Sequence, residues 1–316
     1  MLNRPSEFYS LDDLLYATYT FILENGNQVK SKRGGNKELK ELINYSATLV
    51  NPKIRTSMSL DRKLVKSKFA EFAWYLSKED DKDYIKPYIS LYDFEEQENN
   101  KILGAYGSKI FGSDNGQKSQ YERVIEQILK RKTTKQAYLV ISEKENYKFR
   151  EDKHKSPPCT IGLHFYVRDS KLNLTCYMRS NDAYYGLPHD LFCFTMLQEL
   201  ISFRTNIPLG IYTHNSTSMH IYDKHIAQIK SYLEEGKQEP IEMPSIKDCS
   251  SKTLNLVSKE FDIKFEESYF DKLDDYWKDF VLFSNKFNNN SIASISWKKK
   301  FNNKSMKLIA TNSKES

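Results

Sequence analysis

The apolar positions of this chain change their spacing along its length, and the changes mark out its elements. Over residues 11–25, Leu14, Leu15, Thr18, Phe21 and Ile22 recur at intervals of three and four, which predicts a helix ended by Gly26. Residues 43–50 alternate and predict a strand stopped at Asn51-Pro52. Residues 69–76 (Phe-Ala-Glu-Phe-Ala-Trp-Tyr-Leu) read as a largely buried helix. Residues 80–101 are charged and punctuated, so loop and short helix are expected there. Residues 119–131 place Val124, Ile125, Ile128 and Leu129 on one helical face, and residues 137–142 read as a strand. Residues 161–167 and 171–178 predict a hairpin about Arg168-Asp169-Ser170. A helix over 187–203, a strand over 209–215 and a helix over 220–235, stopped by Gly236, follow. Residues 236–247, with Pro240 and Pro244, read as a linker. Residues 268–286 predict one aromatic amphipathic helix that covers core, and from Phe287 onward a strand at most and then a frayed tail is expected.

Composition narrows what such a chain can be. Its 316 residues allow one large domain or two small ones. A hydrophobic fraction of 39% with 13% aromatic is enough for a real core and supplies bulk that few disordered chains have. The net charge of +6 is spread along the sequence; it permits an anionic substrate such as a phosphate ester and does not indicate DNA binding. Residues 1–10 are polar and do not read as a signal peptide, and no apolar run approaches the ~18–20 residues that cross a bilayer. A cytoplasmic protein is therefore expected. Cys159, Cys176, Cys193 and Cys249 show no C-x-x-C spacing, so free thiols are expected, and one of them is free to be a nucleophile. His164, His214 and His225 lack partners at metal-ligand spacing, so no metal is expected.

Candidate chemistry concentrates between residues 157 and 225. Pro158-Cys159, Arg179-Ser180-Asn181-Asp182, Gly186-Leu187-Pro188-His189-Asp190 and His220-Ile221-Tyr222 follow one another there. A thiol, a cation beside a hydroxyl, two acids and a His/Tyr pair can attack, ionise and hold an anionic small molecule. Upstream, Glu71 is an acid inside an apolar run. Either it lies on the solvated edge of its helix, or it is buried, where its pKa would rise toward acid/base use. Arg33 beside Gly34 and Gly35 makes a flexible cationic turn, able to close on a phosphate or simply exposed. Tyr106, between Gly104 and Gly107, either presents a phenol or packs in a turn.

The order of these motifs resembles the thymidylate synthase family. The resemblance is most specific over residues 157–225 and extends to Glu71-Phe72-Ala73-Trp74-Tyr75-Leu76, Leu103-Gly104-Ala105-Tyr106-Gly107 and Arg33-Gly34. It implies an α+β fold on a large mixed sheet flanked by helices, a homodimer, and methylenetetrahydrofolate as one-carbon donor. It implies that Cys159 adds to C6 of a pyrimidine nucleotide, with Arg179 favouring the thiolate and holding the phosphate. Ser180 and Arg33 match further phosphate ligands, Glu71 the carboxylate that relays protons through water, and Tyr106 the tyrosine near C5. Asp182, with Trp74, matches the folate side of the site, and His220 and Tyr222 match the pair that binds the sugar hydroxyl. Residues 1–245 are expected to form the catalytic domain, with 246–316 an extension packed on it and ending in a basic tail.

The departures choose among relatives. Asp190 stands where synthases have an Asn that reads uracil. A carboxyl group accepts from the 4-amino group of cytosine and, when protonated, donates to N3. In this the chain resembles the deoxycytidylate hydroxymethylase branch, as it does in Asn51-Pro52-x-x-Arg55, Arg62-Lys63 and Trp74-Tyr75-Leu76. Thr160 replaces a His, His189 replaces a Phe, and the arginine pair that would reach the partner's phosphate falls on Lys135 and Gln136. The expected function is folate-dependent C5 hydroxymethylation of dCMP or CMP. The alternatives are methylation of dUMP and a catalytically silent nucleotide sensor. No membrane and no nucleic acid partner is expected.

Overall fold

The alternating runs become one seven-stranded mixed sheet in a computed structural model that describes residues 7–31, 37–59, 65–90, 92, 100–113, 116–147, 157–284 and 301–312. The strands are β1 (Glu7–Phe8), β2 (Asn27–Ser31), β3 (Lys37–Leu49), β4 (Tyr138–Val140), β5 (Thr160–Arg168), β6 (Lys171–Asp182) and β7 (Leu209–Tyr222). Their spatial order is β1-β3-β7-β6-β5-β4, with β2 also pairing β3. The β1/β3 and β6/β7 pairs are parallel and the others antiparallel. The helices are α1 (Leu11–Asn25), α2 (Val65–Ser77), α3 (Lys82–Ile85), α4 (Tyr106–Phe111) and α5 (Gln120–Lys130). They continue with α6 (Gly186–Thr205), α7 (Ile226–Glu235), α8 (Ser251–Phe261), α9 (Asp275–Val281) and α10 (Lys304–Asn312).

Local chemistry explains several boundaries. Ser10 caps α1 by accepting from the Asp13 N–H, and Gly26 ends the helix where the apolar spacing stops. Ser119 and Glu122 form a reciprocal capping box at the start of α5. The β5–β6 hairpin turns through Asp169 (φ 51°) and Ser170 (φ 57°), the left-handed pair whose twist matches the strands it joins.

The two faces of the sheet differ. Leu163, Cys176, His214 and Ala47 are register partners across four strands, as are Phe165, Leu174, Tyr212 and Leu49, and all are buried. Helix α6 belongs to the same core; Leu187 to Ile201 are buried without a break, so it has no wet face along that length. On the other face, Val140, Gly162, Tyr177, Asn215 and Ser46 form one row, and Tyr138, His164, Thr175, Thr213 and Thr48 another. There Val140 is 42%, Tyr177 40% and Tyr138 37% exposed. Such large apolar side chains, in register on one sheet, leave a broad face uncovered in the single chain.

Three segments depart from the sequence reading. His220–Tyr222 is strand and not helix: β7 runs on because Leu39, Lys40 and Glu41 of β3 and Asp182 of β6 pair with it there, and the helix starts at Ile226. The expected helix over 268–286 is a single turn at Phe270–Lys272 followed by α9, because Asp274 caps a new helix by accepting from the Trp277 N–H. Helix α10 replaces the frayed tail; it buries Met306, Ile309 and Ala310, and the Asp279 carboxylate accepts from the Asn302 and Asn303 N–H groups at 2.8 and 2.7 Å. The segment beyond 246 lies on α2: Phe69 stacks on Phe283 at 4.0 Å and meets Phe280 at 4.7 Å.

Candidate active site

The β5–β6 hairpin sets the thiol against a cation. Cys159, half-buried, immediately precedes β5, and Arg179 lies on the antiparallel neighbour. The Arg179 guanidinium donates to the Pro158 carbonyl at 3.1 Å and the Pro157 carbonyl at 2.7 Å, which leaves its Nη2 3.7 Å from the Cys159 sulfur. The two prolines thus hold the guanidinium in place through their carbonyls. Cys176 and Cys193 are fully buried, and burial pushes both thiols well above the usual range. Burial pushes the Cys249 thiol up to about 11. Cys159 is the accessible sulfur.

Tyr106 reaches the same point from α4. Its hydroxyl accepts from the Thr160 N–H at 3.2 Å, one residue from the thiol. Gly107 makes that approach possible: a Cβ there would sit 2.5 Å from the Tyr75 backbone. Burial, then the charges of Asp190 and Cys159, push the Tyr106 phenol well above its ordinary range, so it stays a proton carrier.

Glu71 is buried, which settles the choice left open by its sequence context. Ser67, Glu71 and Tyr75 recur every four residues on α2, and the Tyr75 hydroxyl points at Glu71 across 3.5 Å. Burial, reinforced by the charge of Asp190, pushes the Glu71 carboxyl up to about 8. Asp190 comes from the second turn of α6; burial pushes it up to about 7, while Asn181 Nδ2, donating to Oδ2 at 2.7 Å, opposes the rise. Both carboxyls therefore exchange protons near neutrality. His189 ties their helices together. Its Nδ1 lies 2.7 Å from the Tyr185 carbonyl, which can only accept, so Nδ1 carries the hydrogen and Nε2 accepts from the Ser67 hydroxyl at 2.7 Å.

At the open ends of β6 and β7, Ser180 pairs with Ser218 and Asp182 with His220. Tyr222 stands edge-on to His220 at 5.0 Å. Burial lowers the His220 pKa, against the opposing charges of Asp182 and Glu41. Asp182 accepts from the Tyr184 N–H at 2.9 Å. Trp74 is buried edge-on to Tyr92 at 5.3 Å, and its indole N–H meets no acceptor among the described residues.

Not every expected residue joins this cluster. Arg33, with Arg62 and Lys63, lies outside the described residues. Lys135 is exposed just before Ala137, whose carbonyl pairs with Phe165 toward the hairpin end of β5, away from Cys159 of the same chain. A cleft of about 440 Å³ opens at that hairpin end between Lys132, Arg168 and Pro208 and contains none of the candidate residues. Asn181 and Ser67 were missed as partners of Asp190 and His189. Asn181 stood inside the Arg-Ser-Asn-Asp motif, but its contact nine residues away needs the turn into α6.

A half-buried thiol under a guanidinium, backed by a phenol and two carboxyls that titrate near neutrality, defines a site that can add sulfur to an electron-poor carbon and move protons beside it. The chain belongs to the thymidylate synthase family, whose model matches residues 16–275. It is 32% identical to a thymidylate synthase of Staphylococcus haemolyticus over 111 residues, 35% of this chain and 32% of that protein. It is 28% identical to a thymidylate synthase of Bacillus subtilis subsp. natto over 189 residues, 58% of this chain and 66% of that protein. The matched stretch thus spans about a third to two thirds of these relatives' length. The fold is that of thermostable thymidylate synthase A from Bacillus subtilis, with a TM-score of 0.60 at 23% identity, covering 76% of this chain and 90% of that one.

Proposed function

We propose that this protein hydroxymethylates C5 of a cytidine monophosphate, dCMP or CMP, using methylenetetrahydrofolate as one-carbon donor. The observation that carries the choice of base is Asp190: a buried carboxyl that titrates near 7, in contact with Asn181, at the position where synthases read uracil with Asn. A carboxyl of that kind offers cytosine both an acceptor for the 4-amino group and a proton for N3.

Cys159 adds its sulfur to C6, which makes C5 nucleophilic. Arg179 holds the phosphate and faces the sulfur; Ser180 and Arg33 add phosphate contacts. Methylenetetrahydrofolate supplies the carbon that C5 takes up. The half-buried carboxylate of Asp182, and the indole N–H of Trp74, which meets no acceptor among the described residues, fit a pterin's donors and acceptors. Glu71, through bound water, and Tyr106 take the C5 proton, and His220 with Tyr222 holds the sugar hydroxyl. Loss of that proton expels tetrahydrofolate from the transferred carbon and leaves an exocyclic methylene on C5; water adds to this methylene, and the bond between C6 and the Cys159 sulfur breaks to restore the ring double bond. The uncovered sheet face supports a homodimer, with Lys135 of each protomer reaching its partner's phosphate site. A cytoplasmic enzyme without membrane or nucleic acid partners fits this reading; no described helix is long and apolar enough to cross a membrane.

Methylation of dUMP is the second reading, favoured by the name thymidylate synthase that the relatives carry. Tritium release from C5-labelled dCMP, CMP and dUMP separates the two. With methylenetetrahydrofolate present, a cytidylate is expected to exchange, and Cys159→Ser to abolish exchange. Exchange of dUMP alone contradicts the cytosine reading, and nucleotide binding without any exchange indicates a sensor. Asp190→Asn is expected to move the preference toward dUMP.

A further inference from the structure

Asn181, at the end of β6, is 3% exposed, and its amide has two different environments. Nδ2 donates to Asp190 Oδ2 at 2.7 Å. Oδ1 is buried and meets no donor among the described residues. A buried acceptor of this kind is costly unless something completes it. Gly186, opening α6, lies against the pair: a Cβ there would sit 2.8 Å from Asn181 Nδ2 and 3.6 Å from Asp190 Oδ2. Glycine is what lets the turn press amide and carboxyl together.

Hydrogen-bond accounting gives the pair a definite pattern. An amide N–H only donates, so Oδ2 of Asp190 must accept, and a proton on that carboxyl is confined to Oδ1. The pair then offers one donor, Asp190 Oδ1–H, and two acceptors, Asp190 Oδ2 and Asn181 Oδ1. The edge of cytosine has one acceptor, N3, and two N–H bonds on its amino group, so the counts match. Uracil presents one N–H and a carbonyl. It leaves Asn181 Oδ1 without a donor and sets a second acceptor near it. Asp190 alone, with a proton free to move between its oxygens, separates the two bases less sharply; the amide removes that freedom.

We propose that Asn181 is a specificity-determining residue that, with Asp190, selects a 4-aminopyrimidine nucleotide over its 4-oxo counterpart. The inference rests on the cytidylate reading given above. It assigns the choice of base to two side chains and accounts for Gly186 as the residue that keeps them in contact.

Calorimetric binding of dCMP, dUMP and the 2-pyrimidinone deoxynucleotide, which keeps N3 and lacks the amino group, tests it. The proteins are wild type, Asn181→Ala and Asn181→Cys; the Cys variant keeps more of the volume but is a weak acceptor. Wild type is expected to prefer dCMP. Both variants are expected to narrow the dCMP/dUMP preference by about tenfold, the loss falling on dCMP while the 2-pyrimidinone nucleotide is unaffected. Gly186→Ala, which displaces the amide, should narrow it in the same direction. An unchanged preference in any folded variant of the three overturns the role of Asn181, as does an equal loss for all three nucleotides. Wild type that binds dUMP as tightly as dCMP instead overturns the cytidylate reading itself.

Discussion

Burial raises the Glu71 and Asp190 carboxyls to about 8 and about 7, and that has a consequence for stability. A carboxyl whose folded-state pKa is raised favours the folded state while it is protonated. Its penalty therefore grows as pH climbs from the ordinary carboxylate value, 4.5 for Glu71, through the folded value of about 8. Glu71→Gln removes the ionisable group and keeps its size. The variant's melting temperature is expected to gain on wild type steadily between pH 5 and pH 8, worth a few kcal/mol at the upper end. A difference that stays flat across that range would mean that Glu71 ionises without penalty. That Cys159, Arg179 and Asp190 lie near one another was legible in the sequence because each sits in a short motif within one stretch. The partners that tune them were not. Ser67 and His189 are 122 residues apart, and nothing local to either announces the other.

At the scale of elements, the site is held by struts that bring α2 and α6 together. The Ser67–His189–Tyr185 chain is one. Arg55 and Glu199 anchor α6 from another side: the guanidinium is fully buried against the Glu199 carboxylate, whose other oxygen accepts from the Ile246 N–H at 3.0 Å. Arg55, noted in sequence only as part of Asn-Pro-x-x-Arg, thereby joins the loop after β3 to α6 and to the start of the C-terminal segment. Removing one partner of a buried pair leaves an uncompensated charge, so Arg55→Ala is expected to cost about 3–5 kcal/mol in urea unfolding. A cost below about 1 kcal/mol would show the pair to be ornamental. Elements with strong local signals, α1, α5 and the β5–β6 hairpin, were legible from periodicity and turn chemistry. The end of β7 was not, because His-Ile-Tyr carries no period of its own and becomes strand by pairing on both sides. Likewise α10 owes its place to burial of Met306 and Ile309 beneath a polar sequence.

Across the whole molecule, one sheet face is packed against helices and the other is open. Val140, Tyr177 and Tyr138 lie on that open face, which the proposed homodimer would cover. Paired substitutions Val140→Asp and Tyr177→Asp place like charges on both sides of such an interface. Sedimentation is expected to show a dimer for wild type and a monomer for the double variant, with phosphate affinity reduced because Lys135 no longer reaches a partner. A wild-type monomer would detach Lys135 from the site altogether. The mixed sheet and its family were readable from ordered motifs, whereas the exposure of this face became visible only once the strands were in register.

The most direct measurement is the mass of the product formed from dCMP and from dUMP, each incubated with methylenetetrahydrofolate and the purified protein. The account predicts that dCMP gains the elements of CH2O and that dUMP remains unchanged. Conversion of dUMP alone, with a gain of CH2, would contradict it.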